Sequence, residues 1–151
     1  ATMQNHYNAL YREEEREMMP LCIAEGVGVI PWSPMARGYL TRPSATTKAR
    51  ITPRATGDSY SIGMYDDTVN WAIVDAVEGV ATARGIPMAQ VALAWLLGRR
   101  GVTAPIVGAT KLGQLTDAIA ALDVTLTAEE IAAIERPYAT VRVLGFEGPK
   151  G

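Results

Sequence analysis

The run Trp32-Ser33-Pro34-Met35-Ala36-Arg37-Gly38 places an indole, a hydroxyl, a guanidinium and a glycine within one short stretch. That set suits a flat ring that leads into phosphates. The indole offers a stacking face, Arg37 a charge, and Gly38 a backbone that a ligand can approach closely. Gly108-Ala109-Thr110-Lys111 is a second candidate: a glycine turn opening a helix, with Thr110 as N-cap, free backbone N–H groups for an anion and Lys111 as a point charge. Each has a plainer reading, a strand and loop with a packing tryptophan for the first, and the strand–turn–helix connection common in α/β proteins for the second. Spacing alone leans slightly toward the plainer reading of the first. Cys22 reads as a small hydrophobe on a helix, because a nucleophilic thiolate needs a nearby base and His6 is the chain's one histidine.

The elements that must hold these residues follow from periodicity. Val27–Ile30 is short, apolar and rich in Val and Ile, which predicts a buried strand with residues 32–38 as the loop at its carboxyl end. Ala1–Gln4 reads as the end of an earlier strand with Asn5–Asn8 as its polar exit, and Ala104–Val107 as a third buried strand stopped by Gly108. Glu13–Glu17 predicts a solvated acidic first turn for a helix with Met18, Leu21 and Cys22 inward, kinked or restarted at Pro20 and ended by Gly26. A helix capped by Asp66 or Asp67 carries Trp71, Val74, Val77 and Ala81; Pro87 at the first helical position opens another with Met88, Val91, Ala92, Trp95 and Leu96. Leu112, Leu115, Ile119 and Leu122 predict a further inward stripe, and Thr127–Glu130 a capping box for a helix with Ile131 and Ile134. Residues 41–66 lack periodicity, carry Arg42, Lys48, Arg50 and Arg54, and read as a long mobile surface loop, with folding over an anionic ligand as the alternative. Residues 138–151 read as an irregular tail.

With 151 residues, 48% of them hydrophobic, the chain is the size of one domain, and a net charge of −2 provides no basic field for nucleic acid. No apolar run reaches the length of a membrane span, no signal peptide is evident, and one cysteine fits a reducing, cytoplasmic setting. Alternating strands and helices imply parallel pairing with right-handed crossovers. Three strands cannot close a barrel, so residues 1–151 are expected to form one partial α/β domain of a larger fold. A glycosidase or metal hydrolase is disfavoured, since no carboxylate ends either full strand and no metal-ligand cluster is present.

Gln4-Asn5-His6-Tyr7-Asn8 with Tyr11-Arg12-Glu13 resembles the sixth-strand exit of aldo-keto reductases, nearest to the bacterial aryl-alcohol-dehydrogenase-like branch. Trp32–Gly38 resembles that branch's seventh-strand motif, with Met35 where leucine is usual. Ala89–Leu97, Pro105–Ala109 and Leu126–Tyr138 resemble its later helix, eighth strand and final helix. The resemblance implies the carboxyl-terminal half of a (β/α)8 TIM barrel, strands six to eight, from an enzyme that reduces aldehydes and ketones with NADPH, NADH remaining open. It implies that Gln4 holds the carboxamide and that Trp32 stacks on the nicotinamide. Ser33, Pro34, Met35, Arg37 and Gly38 would line the pyrophosphate, and Gly108, Thr110, Lys111, Gln114 and Asp117 the adenosine end. Lys111 stands where the branch often has arginine, and Ala118 replaces a common asparagine. The family's catalytic Asp, Tyr, Lys and His would all precede Ala1, so the chain alone is expected to bind part of a cofactor without turning over. The competing expectation is a non-enzymatic half-barrel that binds cofactor, self-associates, or pairs with an amino-terminal half.

Overall fold

The computed structural model describes residues 1–48, 64–65 and 69–141. Two parallel strands, β1 (Thr2–Met3) and β2 (Gly28–Val29), pair with Thr2 opposite Gly28 and Met3 opposite Val29. The pairing runs on beyond them: the Ile30 N–H donates to the Met3 carbonyl and the Trp32 N–H to the Asn5 carbonyl, each at 2.9 Å. His6 thereby lies beside Trp32 in parallel register.

The third strand expected at Ala104–Val107 is not formed as such. Its chain pairs with β2 two residues earlier, through a parallel bridge between Val29 and Val102. Val29 donates to the Gly101 carbonyl at 3.0 Å and accepts from Thr103 at 2.8 Å. The next rungs need N–H donors at residues 31 and 105, and both are prolines. Ile106 donates to Pro31 instead, at 2.8 Å, and the ladder is broken there. Nor is this segment buried: Ala104 and Ile106 are exposed. A Cβ on Gly28 would lie 2.5 Å from Thr103 Oγ1. Gly28→Ala is therefore expected to cost about 1 kcal/mol by overpacking, and Thr103→Ala in the same chain to recover it. Urea midpoints of the single and double variants check this, and an additive double variant would refute it.

Helix α1 (Met18–Ala24) buries Met19 and Cys22, while Leu21 is 53% exposed, so the expected inward stripe is out of phase. The helix starts later than the acidic run suggested. Glu13–Glu15 form a separate 3-10 turn. Pro20 sits in the first turn of α1, where its missing N–H would have no intrahelical partner, and neither kinks nor ends the helix. Val27 N–H donates to Cys22 at 2.8 Å past Gly26 at φ 62°, a Schellman closure.

Glu13 is not solvated. It is buried, and it accepts from the Tyr138 hydroxyl and the Val141 N–H, both at 2.9 Å, and from Arg16 at 3.1 Å. Burial alone would raise its pKa; these donors together outweigh burial and lower it. The tail therefore lies against the body as far as Val141.

Within residues 41–66 the chain forms helix α2 (Ser44–Lys48), whose Lys48 ammonium lies 4.6 Å from the centre of the Trp71 ring. Pro53, Gly57, Gly63, Arg50 and Arg54 lie outside the described residues, as do Asp66, Asp67 and residues 142–151. The cap of α3 (Trp71–Arg84) is Asn70, whose amide oxygen accepts from Ala72 at 3.1 Å while its NH2 donates to the Pro137 carbonyl at 2.6 Å. Gly85, at φ 66°, ends α3, and the chain turns by 106° into α4 (Met88–Leu97). Pro87 is the cap residue of α4 and not its first helical position. The expected stripe of α4 is buried, and so are Gln90, Leu93 and Ala94, so this helix is covered nearly all round.

Helix α5 (Leu112–Ala120) departs furthest from expectation. Leu112, Leu115, Ile119 and Leu122 are 80%, 47%, 57% and 68% exposed. It approaches α4 on its opposite side, through Asp117 and half-buried Ala118, and the 3-10 turn that follows (Ala121–Asp123) buries Ala121 on that side. The apolar row is thus left outward, with no described element against it. Helix α6 (Ala128–Glu135) has the expected capping box: Thr127 Oγ1 accepts from the Glu130 N–H at 3.3 Å, and Glu130 accepts from the Thr127 N–H at 2.7 Å.

An ionic cluster ties the exit of β1 to α4 and α6. Arg12 grips Glu15 with two nitrogens at 2.9 and 2.7 Å and lies 3.6 Å from Glu135. Glu135 also accepts from Trp95 Nε1 at 3.0 Å and pairs with Arg99.

Candidate cofactor site

Pairing of β1 with β2 brings the exit Gln4–Asn8 against the loop Trp32–Gly38. At the centre lies a stack of three rings. His6 lies flat between Tyr11 and Trp32, with centroids 4.3 Å from each and planes within 13° and 16°. Trp32 therefore has one face against His6 and is only half-buried.

The edge of His6 is held as well as its faces. Its Nε2 lies 2.6 Å from the Tyr65 hydroxyl. Asn8 organises the rest: its amide oxygen accepts from the Leu10 and Tyr11 N–H groups at 2.9 and 3.0 Å, which fixes the orientation of the amide. The NH2 then donates to the Ser33 carbonyl at 2.9 Å and the Tyr65 hydroxyl at 3.0 Å. Burial, and secondarily the positive charge of Arg37, hold the His6 pKa at about 4, so the imidazole is neutral at pH 7. Two buried atoms here have no hydrogen-bond partner among the described residues, His6 Nδ1 and Asn5 Oδ1.

The loop beyond Trp32 is strained. Ser33, Ala36 and Arg37 have φ of 51°, 48° and 52°, and they are the described non-glycine residues with positive φ. Each costs about 1–2 kcal/mol relative to ordinary backbone. The Ser33 carbonyl, which accepts from Asn8, also accepts from the Ala36 N–H at 2.9 Å, and the Gly38 N–H donates to Met35 at 3.0 Å. Gly38, at φ 103°, does need to be glycine. Pro34 is buried, whereas Met35, Arg37 and Gly38 are partly exposed.

The remaining candidates are placed less tightly. Gln4 is exposed at the end of β1. Gly108, Thr110 and Lys111 are exposed in the turn before α5, and Gln114 in its first helical turn, after the segment whose Ile106 bonds to Pro31. That turn is not an open anion cradle. Gln114 Oε1 accepts from the Thr110 N–H at 2.8 Å and the Lys111 N–H at 3.2 Å, because the glutamine amide reaches back over the helix start. Lys111, not Thr110, is the residue at the cap position. Asp117 accepts from Gln90 at 3.3 Å and so leans toward α4. Among the described residues no group of three His, Cys, Asp or Glu side chains could hold a metal ion.

Comparison of the sequence with known families points to one. The family model described as the aldo/keto reductase family matches residues 1–139. The chain belongs to the aldo/keto reductase family.

It is 44% identical, over 91% of its length, to versiconal hemiacetal acetate reductase of Aspergillus parasiticus. Over 95% of its length it is 43% identical both to a protein of Schizosaccharomyces pombe named for aryl-alcohol dehydrogenase and to an aldo-keto reductase of Fusarium vanettenii. It covers 40%, 40% and 38% of those three relatives, all fungal. An aldo-keto reductase is built on a (β/α)8 barrel, and the paired strands with flanking helices are consistent with part of one. Among the described residues no single helix is long and apolar enough to cross a membrane.

Sequence reasoning did not find His6, Tyr65 or Asn8 as members of the site. Asn8 carried a signal, since an asparagine just past a strand commonly bonds the backbone two and three residues on. Tyr65 carried none, because it comes from a segment without periodicity.

Proposed function

We propose that this chain is the cofactor-binding, carboxyl-terminal part of an NADPH-dependent aldo-keto reductase that reduces aldehydes or ketones to alcohols. The observation that carries the reading is the clustering of Ser33, Ala36 and Arg37 in left-handed backbone directly after a half-buried, stacked tryptophan. Strain of this kind persists where surrounding structure over-determines it, and it concentrates at ligand clamps. Neither the Ser33 nor the Met35 N–H has a partner among the described residues, so both are available to pyrophosphate oxygens. The residues present therefore fit a dinucleotide. Trp32 would stack on the nicotinamide with its face away from His6, Gln4 would hold the carboxamide, and Arg37 would pair with phosphate. Lys111 would reach the 2′-phosphate as a point charge, without the two-pronged grip of an arginine. When bound, the nicotinamide supplies a hydride for the carbonyl carbon.

The proton for such a reduction would come from elsewhere. Tyr7 donates to Glu15 at 2.6 Å, and burial together with that bond pushes its phenol above the ordinary value. Burial also raises Tyr138, which donates to Glu13. Tyr7 and Tyr138 are thus committed to carboxylates, and the reading places the proton donor and the carbonyl substrate in the remainder of the larger enzyme. No partnership with nucleic acid or membrane is proposed, and the compartment proposed is the cytoplasm.

Titration of NADPH against protein fluorescence tests the reading. Trp32→Ala is expected to weaken binding about tenfold, the scale of one lost aromatic stack with its buried area. Lys111→Met is expected to weaken NADPH and leave NADH unchanged. Equal NADPH affinity in Trp32→Ala and the unaltered chain would refute the placement.

The exposed row Leu112, Leu115, Ile119 and Leu122 favours a second reading, a non-enzymatic half-barrel that self-associates or pairs with an amino-terminal half. A strictly monomeric 16.2 kDa species in sedimentation would count against self-association.

A further inference from the structure

We propose that Tyr65 and His6 are positioning residues for the Trp32 platform: Tyr65 fixes the edge of His6, and His6 fixes the inner face of Trp32. The inference rests on Trp32 being the stacking surface for a nicotinamide, and goes beyond it by assigning what holds that surface in place.

The contacts form a continuous path. An indole stacked on a ring that is free to turn about its Cβ–Cγ bond has no defined plane, because that turn tilts the surface on which the indole rests. His6 removes that freedom by being bounded on both faces, by Tyr11 and by Trp32, at 4.3 Å each. The in-plane sliding that stacking leaves open, which would carry the ring off the indole face, is stopped at Nε2 by the Tyr65 hydroxyl at 2.6 Å, with Asn8 Nδ2 3.3 Å from the same atom. Tyr65 also meets His6 edge-on, with centroids 5.8 Å apart and planes at 78°, so its ring closes the open side of the stack. The same hydroxyl accepts from Asn8, whose other N–H holds the Ser33 carbonyl. One phenol oxygen thus bears on both halves of the candidate site, the ring platform and the first residue of the strained loop. Tyr65 is 1% exposed, His6 7%, and the chain carries them 59 residues apart. His6 needs no partner to stay uncharged, since burial already favours the neutral ring. What the hydroxyl adds is orientation.

A double-mutant cycle on the full chain separates positioning from mere packing. Tyr65→Phe keeps the ring and removes the hydroxyl. It is expected to raise the NADPH dissociation constant about tenfold, the scale of one lost hydrogen bond on a positioned group. In a Trp32→Ala background it is expected to have no further effect on affinity, because nothing remains to be positioned. A purely structural role predicts the same lowered melting temperature in both backgrounds and unchanged affinity of the folded protein, which would overturn the proposal. So would full additivity of the two substitutions. A measurement on the unaltered chain covers the case in which Tyr65→Phe does not fold. His6 is the one histidine, so its Cε1–H gives a single NMR signal, which should shift when NADPH saturates the protein, and an unmoved signal overturns the proposal. If Trp32→Ala binds NADPH normally, or the unaltered chain binds none, the platform reading fails and takes this inference with it. If Trp32→Ala loses affinity while Tyr65→Phe does not, this inference alone fails.

Discussion

Asn8→Ala is expected to destabilise the protein by about 3–5 kcal/mol, most of the stability of a marginal domain. Asn8 is fully buried, and its amide serves four groups at 2.9–3.0 Å: the N–H groups of Leu10 and Tyr11, the Ser33 carbonyl and the Tyr65 hydroxyl. Alanine cannot replace any of these bonds, and the cavity is too polar to be filled by apolar repacking. The Tyr11 N–H retains its bond to the Asn8 backbone carbonyl at 3.0 Å, which sets the lower end of the range. Urea unfolding at pH 7 checks the value from the shift in midpoint at constant slope. A loss under 1 kcal/mol would mean that the network is relaxed or water-filled. Asn8→Asp should also be destabilising, because a carboxylate would keep the two backbone donors but lose both donations to Ser33 and Tyr65.

A second large effect is expected from acid. His6 has a pKa of about 4 in the folded protein against 6.5 for a free side chain. Between those values the unfolded chain binds a proton that the folded chain does not, so stability is complete above pH 6.5 and falls as pH drops toward 4. The loss over that window is about 3 kcal/mol from this one group. Arg37 is the cation acting on the ring, and Tyr65 and Tyr11 are the other titratable side chains against it. His6→Phe should be less stable at pH 7, having lost the Tyr65 bond, yet lose less on going from pH 7 to pH 5. Parallel pH profiles of unfolding free energy for the two proteins would show that His6 does not titrate in this window.

Periodicity identified α3, α4 and α6 because each has a complete apolar face inside the chain itself. It placed β1 and β2 to within one residue at each end. The third was misplaced because Pro105, read as an ordinary strand residue, and Pro31, just beyond β2, each remove a donor from the ladder. Leu112, Leu115, Ile119 and Leu122 were legible as an amphipathic stripe, but a stripe does not say whether the surface it needs belongs to the same stretch of chain. Glu13 was misread for a related reason: its partners Tyr138 and Val141 are 125 and 128 residues away, beyond any local pattern. Trp32, Arg37 and Gly38 stood out by type and spacing. The backbone strain at Ser33 and Ala36 did not, since serine and alanine carry no mark of a left-handed conformation.

The bonds that Glu13 makes to Tyr138 and Val141 have a consequence for how the chain acquires its structure. They join a 3-10 turn near one end of the sequence to a residue 128 positions later. Closing so long a loop carries an entropic cost that grows only slowly with length, but the contact cannot form until the whole intervening stretch has been made. Until then a carboxylate destined for burial has only Arg16 beside it, and the first segment stays open to solvent. Docking of Tyr138 is thus expected among the last folding events. Residues 13–16 should acquire protection against amide exchange together with 138–141, and later than α3 and α4.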